Sequence, residues 1–211
     1  MRPLPRLHAI TTEAVLARTD LGVRAAALAA AGPAVALHAR GHSLSGAALV
    51  GVVTRFLSLA GPPEASVFVN GRADVARALG AQGLHLGATD YSVPDARRVL
   101  GAEWQGWVGR SVHSVEAAVQ AKEEAADYVI AGNVFETRSH PGRPAQGLEF
   151  VTRVASVGLP VIAIGGITAQ RAPLVREAGA YGVAAVTALW EAGDCAAAAV
   201  DLLRSWTEAE P

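Results

Sequence analysis

Short clusters of polar residues interrupt a chain otherwise rich in Ala, Leu and Val, and each holds groups able to do chemistry near neutral pH. His38, Arg40 and His42 form one, Asn70-Gly71-Arg72 a second, and His85 with Asp90 a third. Arg110, Ser111 and His113 follow, then Asn133, Glu136 and Thr137, then Ser139, His140 and Arg143. Histidine moves protons readily because its unperturbed pKa lies at about 6.5. Arginine grips a carboxylate or phosphate through two parallel N–H bonds. Ile164-Gly165-Gly166-Ile167-Thr168 places no side chain over its backbone N–H groups, and the pattern starts a helix at once, an arrangement that attracts anions. Val186-Thr187 offers a hydroxyl to the same anion. The chemistry implied is proton transfer, or charge stabilisation, on a small phosphorylated molecule.

Such residues act together only if the fold brings them to one place. Apolar runs of four to six residues recur along the chain: 7–10, 34–39, 66–69, 83–86, 106–109, 128–131, 160–164 and 182–186. Segments with helical spacing separate them, at 44–59, 73–79, 93–100, 115–124, 148–157, 171–178 and 195–206. Ser114 and Thr168 stand where N-caps belong, and Gly80, Gly101, Gly158 and Gly179 where helices should stop. Eight buried strands alternating with helices require parallel pairing with crossovers. Eight units of similar length, with no Gly-x-Gly-x-x-Gly turn after the first strand, predict an α/β fold, a single-domain (βα)8 TIM barrel over residues 1–211. In that fold every polar cluster follows a strand and lands on the C-terminal rim, where active sites lie. The bland alternatives are specific. His85 can be a bonded residue of the barrel interior, His113 a polar opening of its helix, Asp90 the cap of a turn and Gly165-Gly166 a packing device. His8, Trp104 and Trp107 read as packing residues.

Composition narrows the partners. The formal net charge of −1, with no basic block, gives no reason to expect nucleic acid or an anionic membrane. The 51% hydrophobic content argues against disorder, and no apolar stretch is long enough to span a bilayer. One cysteine, Cys195, and an N-terminus without a signal-peptide core fit a cytoplasmic protein.

In order and spacing, Val69–Asp74, Leu84–Gly87, Gly109–Ser114, Ala126–Val129, Val134–Thr137 and Ala163–Ile167 resemble the thiamine phosphate synthase/TenI superfamily along nearly the whole chain. The resemblance implies a barrel, often a homodimer, acting on phosphorylated thiazoles of thiamine biosynthesis. Its synthase branch joins a pyrimidine diphosphate to a thiazole carboxylate phosphate with loss of pyrophosphate and carbon dioxide, which calls for Mg2+ and cations. This chain departs from that pattern. Ala36–Arg40 replaces Gln-Leu-Arg-x-Lys, Gly71 stands where the synthases carry an aspartate, leaving Asp90 alone, and Thr137–His140 replaces Thr-x-Thr-Lys. The TenI branch shares Asn-Gly-Arg, Gly-Arg-Ser-Val-His-Ser and Val-Phe-Glu-Thr, and its tautomerase shifts a proton without a metal. Its acid/base histidine is Asn133 here, and an amide cannot take up a proton.

These features predict a metal-independent thiazole tautomerase, an isomerase that needs no cofactor. The alternatives are a thiamine phosphate synthase, a transferase using Mg2+, and a non-catalytic regulator binding a thiazole or thiamine phosphate. The expected catalytic positions are His113, His85 and Asn133. The expected substrate contacts are His38, Arg40, Asn70, Arg72, Asp90, Ser111, Thr137, Ser139, His140, Gly166, Val186 and Thr187, with Arg40 and Arg72 on the carboxylate.

Overall fold

A computed structural model describes residues 3–61, 64–137 and 144–207. Eight parallel strands pair in sequence order and the eighth returns to the first, closing a barrel. They are β1 (Leu7–Ile10), β2 (Val35–Ala39), β3 (Ser66–Asn70), β4 (Gly83–Leu86), β5 (Trp107–Val112), β6 (Tyr128–Gly132), β7 (Val161–Ile164) and β8 (Gly182–Ala185). Around them run α1 (Glu13–Leu16), α2 (Leu21–Ala29), α3 (Gly46–Leu59), α4 (Ala73–Leu79), α5 (Val93–Leu100), α6 (Val115–Glu123), α7 (Gly147–Ala155), α8 (Ala172–Glu177), α9 (Thr187–Trp190) and α10 (Cys195–Thr207).

Alternation along each strand divides the core in two. Residues such as Leu7, Ala9, Val35, Leu37, Val67 and Val69 pack outward against the helices. Ile10, Ala36, Phe68, Tyr128, Ile130, Ile162 and Ala184 fill the interior. Both faces of a strand are therefore buried, which is why the runs read as continuous apolar sequence rather than alternating. Two large rings inside require two small neighbours. A Cβ on Gly83 would lie 2.2 Å from the Phe68 ring, and one on Gly109 2.1 Å from the Tyr128 ring. Gly109→Ala is expected to destabilise the fold by about 2 kcal/mol through overpacking, read as a shift in denaturant midpoint. Tyr128→Leu in the same chain should recover part of that loss.

Local chemistry sets the element ends. Ser45, Ser92 and Ser114 cap α3, α5 and α6 through their side-chain oxygens. Gly80 enters the left-handed region at φ 66° to end α4. Thr168, by contrast, caps nothing. A turn over residues 168–171 intervenes, and α8 starts at Ala172 behind Arg171. The helix expected at once after Gly165-Gly166 is therefore displaced, and the helix that lines the same cavity as the glycine pair is the four-residue α9. β5 runs three residues beyond its apolar stretch, through Arg110, Ser111 and Val112, because the barrel ladder continues to Val112.

Candidate functional site

The C-terminal mouth of the barrel carries the polar clusters in two groups. In the first, His113, Asn133, Thr137, Gly166, Val186 and Thr187 line one cavity of about 130 Å3. Gly165 and Gly166 take φ of 103° and 63°, open to glycine and costly for other residues. The loop after β6 lies directly on them. Phe135 N–H donates to the Gly165 carbonyl at 3.0 Å, and a Cβ on Gly166 would stand 2.5 Å from the Glu136 carbonyl oxygen. The glycine pair thus serves packing and exposes backbone N–H groups in the same stroke. Across the cavity, Thr187 opens α9; the Leu189 and Trp190 N–H groups donate to the Val186 carbonyl, and those of Thr187 and Ala188, ahead of them, lie too early in the helix for an intrahelical acceptor. A phosphoryl group suits this corner.

His113 stands at its edge. Its Nδ1 lies 2.6 Å from the Gly132 carbonyl oxygen, which also accepts from Gln146 Nε2 at 3.0 Å. A carbonyl only accepts, so the Nδ1–H donates and Nε2 is the ring nitrogen left outside this bond. The ring is exposed and is the rim histidine best prepared to take a proton.

The second group occupies the opposite side of the mouth. His38 is 0% exposed inside the barrel, bonded to His8 at 2.8 Å and to the Asn70 amide at 3.0 Å. His85 is 3% exposed, with its nitrogens 3.2 Å from Tyr128 Oη and 2.8 Å from Ser111 Oγ. Burial pushes all three histidines below the ordinary imidazole value, His38 to about 4. They are neutral at pH 7. His8, expected to be a packing residue, is instead part of a hydrogen-bonded chain whose far end is the Pro5 carbonyl, 3.0 Å from Nε2.

Arg40 closes β2 at this side. Its carbonyl accepts from Thr11 Oγ1 at 2.8 Å and its N–H donates to the same oxygen at 2.9 Å, so β1 holds its backbone in place. Its guanidinium bonds to the His42 ring and to no carboxylate among the described residues. Arg72 differs. Both its forks bind Asp74, at 2.8 and 2.5 Å, on the exposed start of α4, so it reaches a substrate carboxylate only by leaving that pair. Asp90 accepts from the Gly87 N–H at 2.7 Å. Arg110, absent from the expected contacts, donates to the carbonyls of Ala88, Asp90 and Tyr91 at 3.1, 3.1 and 2.6 Å and pins the loop that carries Asp90. Only its place beside Ser111 hinted at this, since backbone acceptors leave no mark in sequence. Arg110→Ala is expected to cost about 1 kcal/mol of stability and to raise exchange of the residue 87–91 amides, measured by hydrogen exchange. Ser139 and His140 lie outside the described residues.

The resemblance seen in the sequence implies Mg2+, so the donor set matters. A Cβ at Gly71 would begin 3.4 Å from Asp90 Oδ2, and it is absent. Among the described residues no group of three or more His, Cys, Asp or Glu is placed to hold a metal. One carboxylate, already bonded to a backbone N–H, is a poor protein-built Mg2+ site. The residues present do not fit the ion. Among the described residues, no helix is long and apolar enough to cross a membrane.

Comparison with known proteins agrees with the fold. A family model described as thiamine monophosphate synthase matches residues 7–189. The chain is 41% identical to a thiamine-phosphate synthase of Methanoculleus marisnigri over 201 residues, covering 93% of this chain and 92% of the relative. It is 39% identical to one of Salinispora tropica, covering 98% and 100%. A solved thiamine phosphate pyrophosphorylase from Pyrococcus furiosus superposes with a TM-score of 0.80 at 30% identity, covering 96% of each chain. With a family model matching residues 7–189 and relatives of this likeness over more than nine-tenths of the chain, the chain belongs to the thiamine monophosphate synthase family.

Proposed function

We propose that the chain works in thiamine biosynthesis as a thiamine phosphate synthase, joining a pyrimidine diphosphate to a thiazole phosphate with release of pyrophosphate. This reverses the order suggested by the residues alone, which put the tautomerase first. The observation that carries it is the 41% identity, across 93% of the chain, to a relative bearing that name. On this reading each substrate has its own side of the mouth. The thiazole phosphate takes the Gly166/Thr187 corner. The diphosphate takes the side of Arg40, where a guanidinium with no carboxylate partner among the described residues meets the negative charge that develops as pyrophosphate departs. Because the donor set is poor in carboxylates, no step is assigned to a protein-held metal.

A second reading, the metal-independent thiazole tautomerase, is favoured by one specific feature. Gly71 removes a carboxylate beside Asp90, while His113, anchored through Nδ1, has its Nε2 outside that bond and lines the same cavity as Gly166 and Thr187. A base and a phosphate anchor suffice for a proton shift, which has no leaving group to stabilise.

One pair of assays separates the two. Purified protein is given pyrimidine diphosphate and thiazole phosphate with and without Mg2+, and thiamine phosphate is measured. It is then given the dearomatised thiazole carboxylate phosphate, and aromatisation is followed by ultraviolet absorbance. Thiamine phosphate formation is the expected result. Turnover in the second assay alone, lowered at least 100-fold by His113→Gln, transfers the assignment to the tautomerase. Binding without turnover in either leaves the regulator.

A further inference from the structure

A line of three polar contacts crosses the barrel interior, and its protons can be counted. His8 Nε2 lies 3.0 Å from the Pro5 carbonyl oxygen, His8 Nδ1 lies 2.8 Å from His38 Nε2, and His38 Nδ1 lies 3.0 Å from a terminal atom of the Asn70 amide, assigned as Oδ1. A carbonyl oxygen cannot donate, so His8 Nε2 carries a proton. Neutral His8 then has a bare Nδ1, which must receive a proton from His38 Nε2. Neutral His38 is in turn bare at Nδ1, and a bare nitrogen cannot bond to an amide oxygen. With that oxygen in place, three bonds need three protons on two imidazoles, and one ring becomes a cation.

The surroundings do not support a cation. Both rings are 0% exposed and packed among Phe68, Tyr128 and the His85 ring. The charges nearest them repel a proton: His38 acts on His8, and Arg40 acts on His38. Exchanging oxygen and nitrogen of the amide removes the conflict at no cost in geometry, since the two atoms are distinguished by their bonding. Every group is then satisfied with both rings neutral.

We propose that Asn70 donates its amide N–H to His38 and presents its carbonyl oxygen to the mouth of the barrel, where it selects a substrate group that carries an N–H or O–H donor. Asn70 closes β3 at the rim and is half-buried, and its other amide atom has no protein partner among the described residues. His8 and His38 are positioning residues: they hold the amide in one sense and fix what the mouth offers. An anionic oxygen is repelled at this point, so phosphate and diphosphate groups settle elsewhere, on Arg40 and the glycine corner. A substrate amine or hydroxyl is accepted.

The inference rests on the mouth being the substrate site, and the test has an arm that does not. Nitrogen-15 spectra of histidine-labelled protein between pH 6 and 8 are expected to show His8 and His38 as neutral rings protonated at Nε2 only. A doubly protonated ring, or Nδ1–H on His38, overturns the amide assignment whatever the protein catalyses. Asn70→Asp, whose carboxylate can only accept, should convert one of the two rings to the imidazolium in the same spectra. The functional arm uses Asn70→Ala with inorganic pyrophosphate and with the amino-bearing pyrimidine diphosphate as probes. Pyrophosphate affinity should stay within about twofold and pyrimidine diphosphate affinity fall about tenfold, the effect of one lost neutral hydrogen bond. A tenfold loss of pyrophosphate affinity overturns the proposal, because an amine facing the mouth would give it. If the spectra agree and neither probe responds, the amide is oriented as stated and its role in selection is overturned.

Discussion

Between pH 7 and pH 5 the barrel is expected to lose about 6 kcal/mol of folding stability, from three histidines that the fold keeps neutral and the unfolded chain protonates. His8, His38 and His85 sit in the interior, where burial first, then repulsion from neighbouring histidines or from Arg40, depresses their pKa values. For a group depressed in this way the stabilisation is complete above the unfolded value, about 6.5, and is lost as the pH falls towards the folded value. For His38 that lower limit is about 4. At pH 5 each unfolded histidine gains about 2 kcal/mol from protonation that its folded counterpart forgoes, and the three together approach the whole stability of an ordinary domain. Acid unfolding near pH 5 follows. The carboxylates act elsewhere on the scale. Asp20, Asp74 and Asp95 are held below the ordinary carboxylate range by hydrogen bonds, from Arg18 and Arg24, from Arg72, and from Ser92 with Arg98, and their contribution fades only below about pH 4. Denaturant titrations at pH 5, 6, 7 and 8 measure the effect. His85→Gln should reduce the slope against pH by about a third, while a curve flat from pH 7 to 5 would show that the interior admits protons freely.

The same histidines mark the limit of what the amino-acid pattern discloses. The barrel was legible because strands buried on both faces give short apolar runs, and those runs fall within two residues of the observed strands at nearly every boundary. β5 is the exception. Its rim end is written in Arg110 and Ser111: Ser111 faces inward onto His85, while Arg110, on the other face, bonds the carbonyls of the loop after β4. The gathering of polar clusters on one rim was equally legible, since each follows a strand. What each side chain does there was not. His85 was open to the reading of a bonded interior residue, as found, but nothing in the sequence chose between that and a rim role; His38 and His85 point into a sealed interior and His113 stands at the surface. Register decides this: inward residues one turn of the pleat below the rim are covered by the layer above. Arg72 and Arg40 likewise read as equivalent cations, and only the nearby Asp74 takes one of them out of the mouth.

The corner proposed for the phosphate gives the second large effect. Gly166→Ala is expected to weaken binding of a thiazole phosphate at least 100-fold while leaving the barrel folded. The added carbon would stand 2.5 Å from the Glu136 carbonyl oxygen and 2.8 Å from Phe135 Cβ, at a φ of 63° that costs an alanine about 1 kcal/mol or more. Relief comes most cheaply from the loop after β6, which is held to β7 by the Val134 and Phe135 N–H groups and carries Asn133 and Thr137 into the same cavity. Moving it opens the corner, so the exposed N–H groups and the neighbouring hydroxyl no longer converge on one point. Loss of a preorganised anion contact of this kind is worth about 3 kcal/mol, or a factor of about 100. Thr187→Val, which removes a single hydroxyl without touching the backbone, should cost about tenfold. Calorimetric titration with the phosphorylated thiazole and with its dephosphorylated alcohol checks the assignment. The alcohol should bind weakly to the unaltered protein and be nearly indifferent to both substitutions. Equal losses for phosphate and alcohol would mean that the glycine pair shapes the loop and nothing more, and the anion would then have to be held by Arg40 across the mouth.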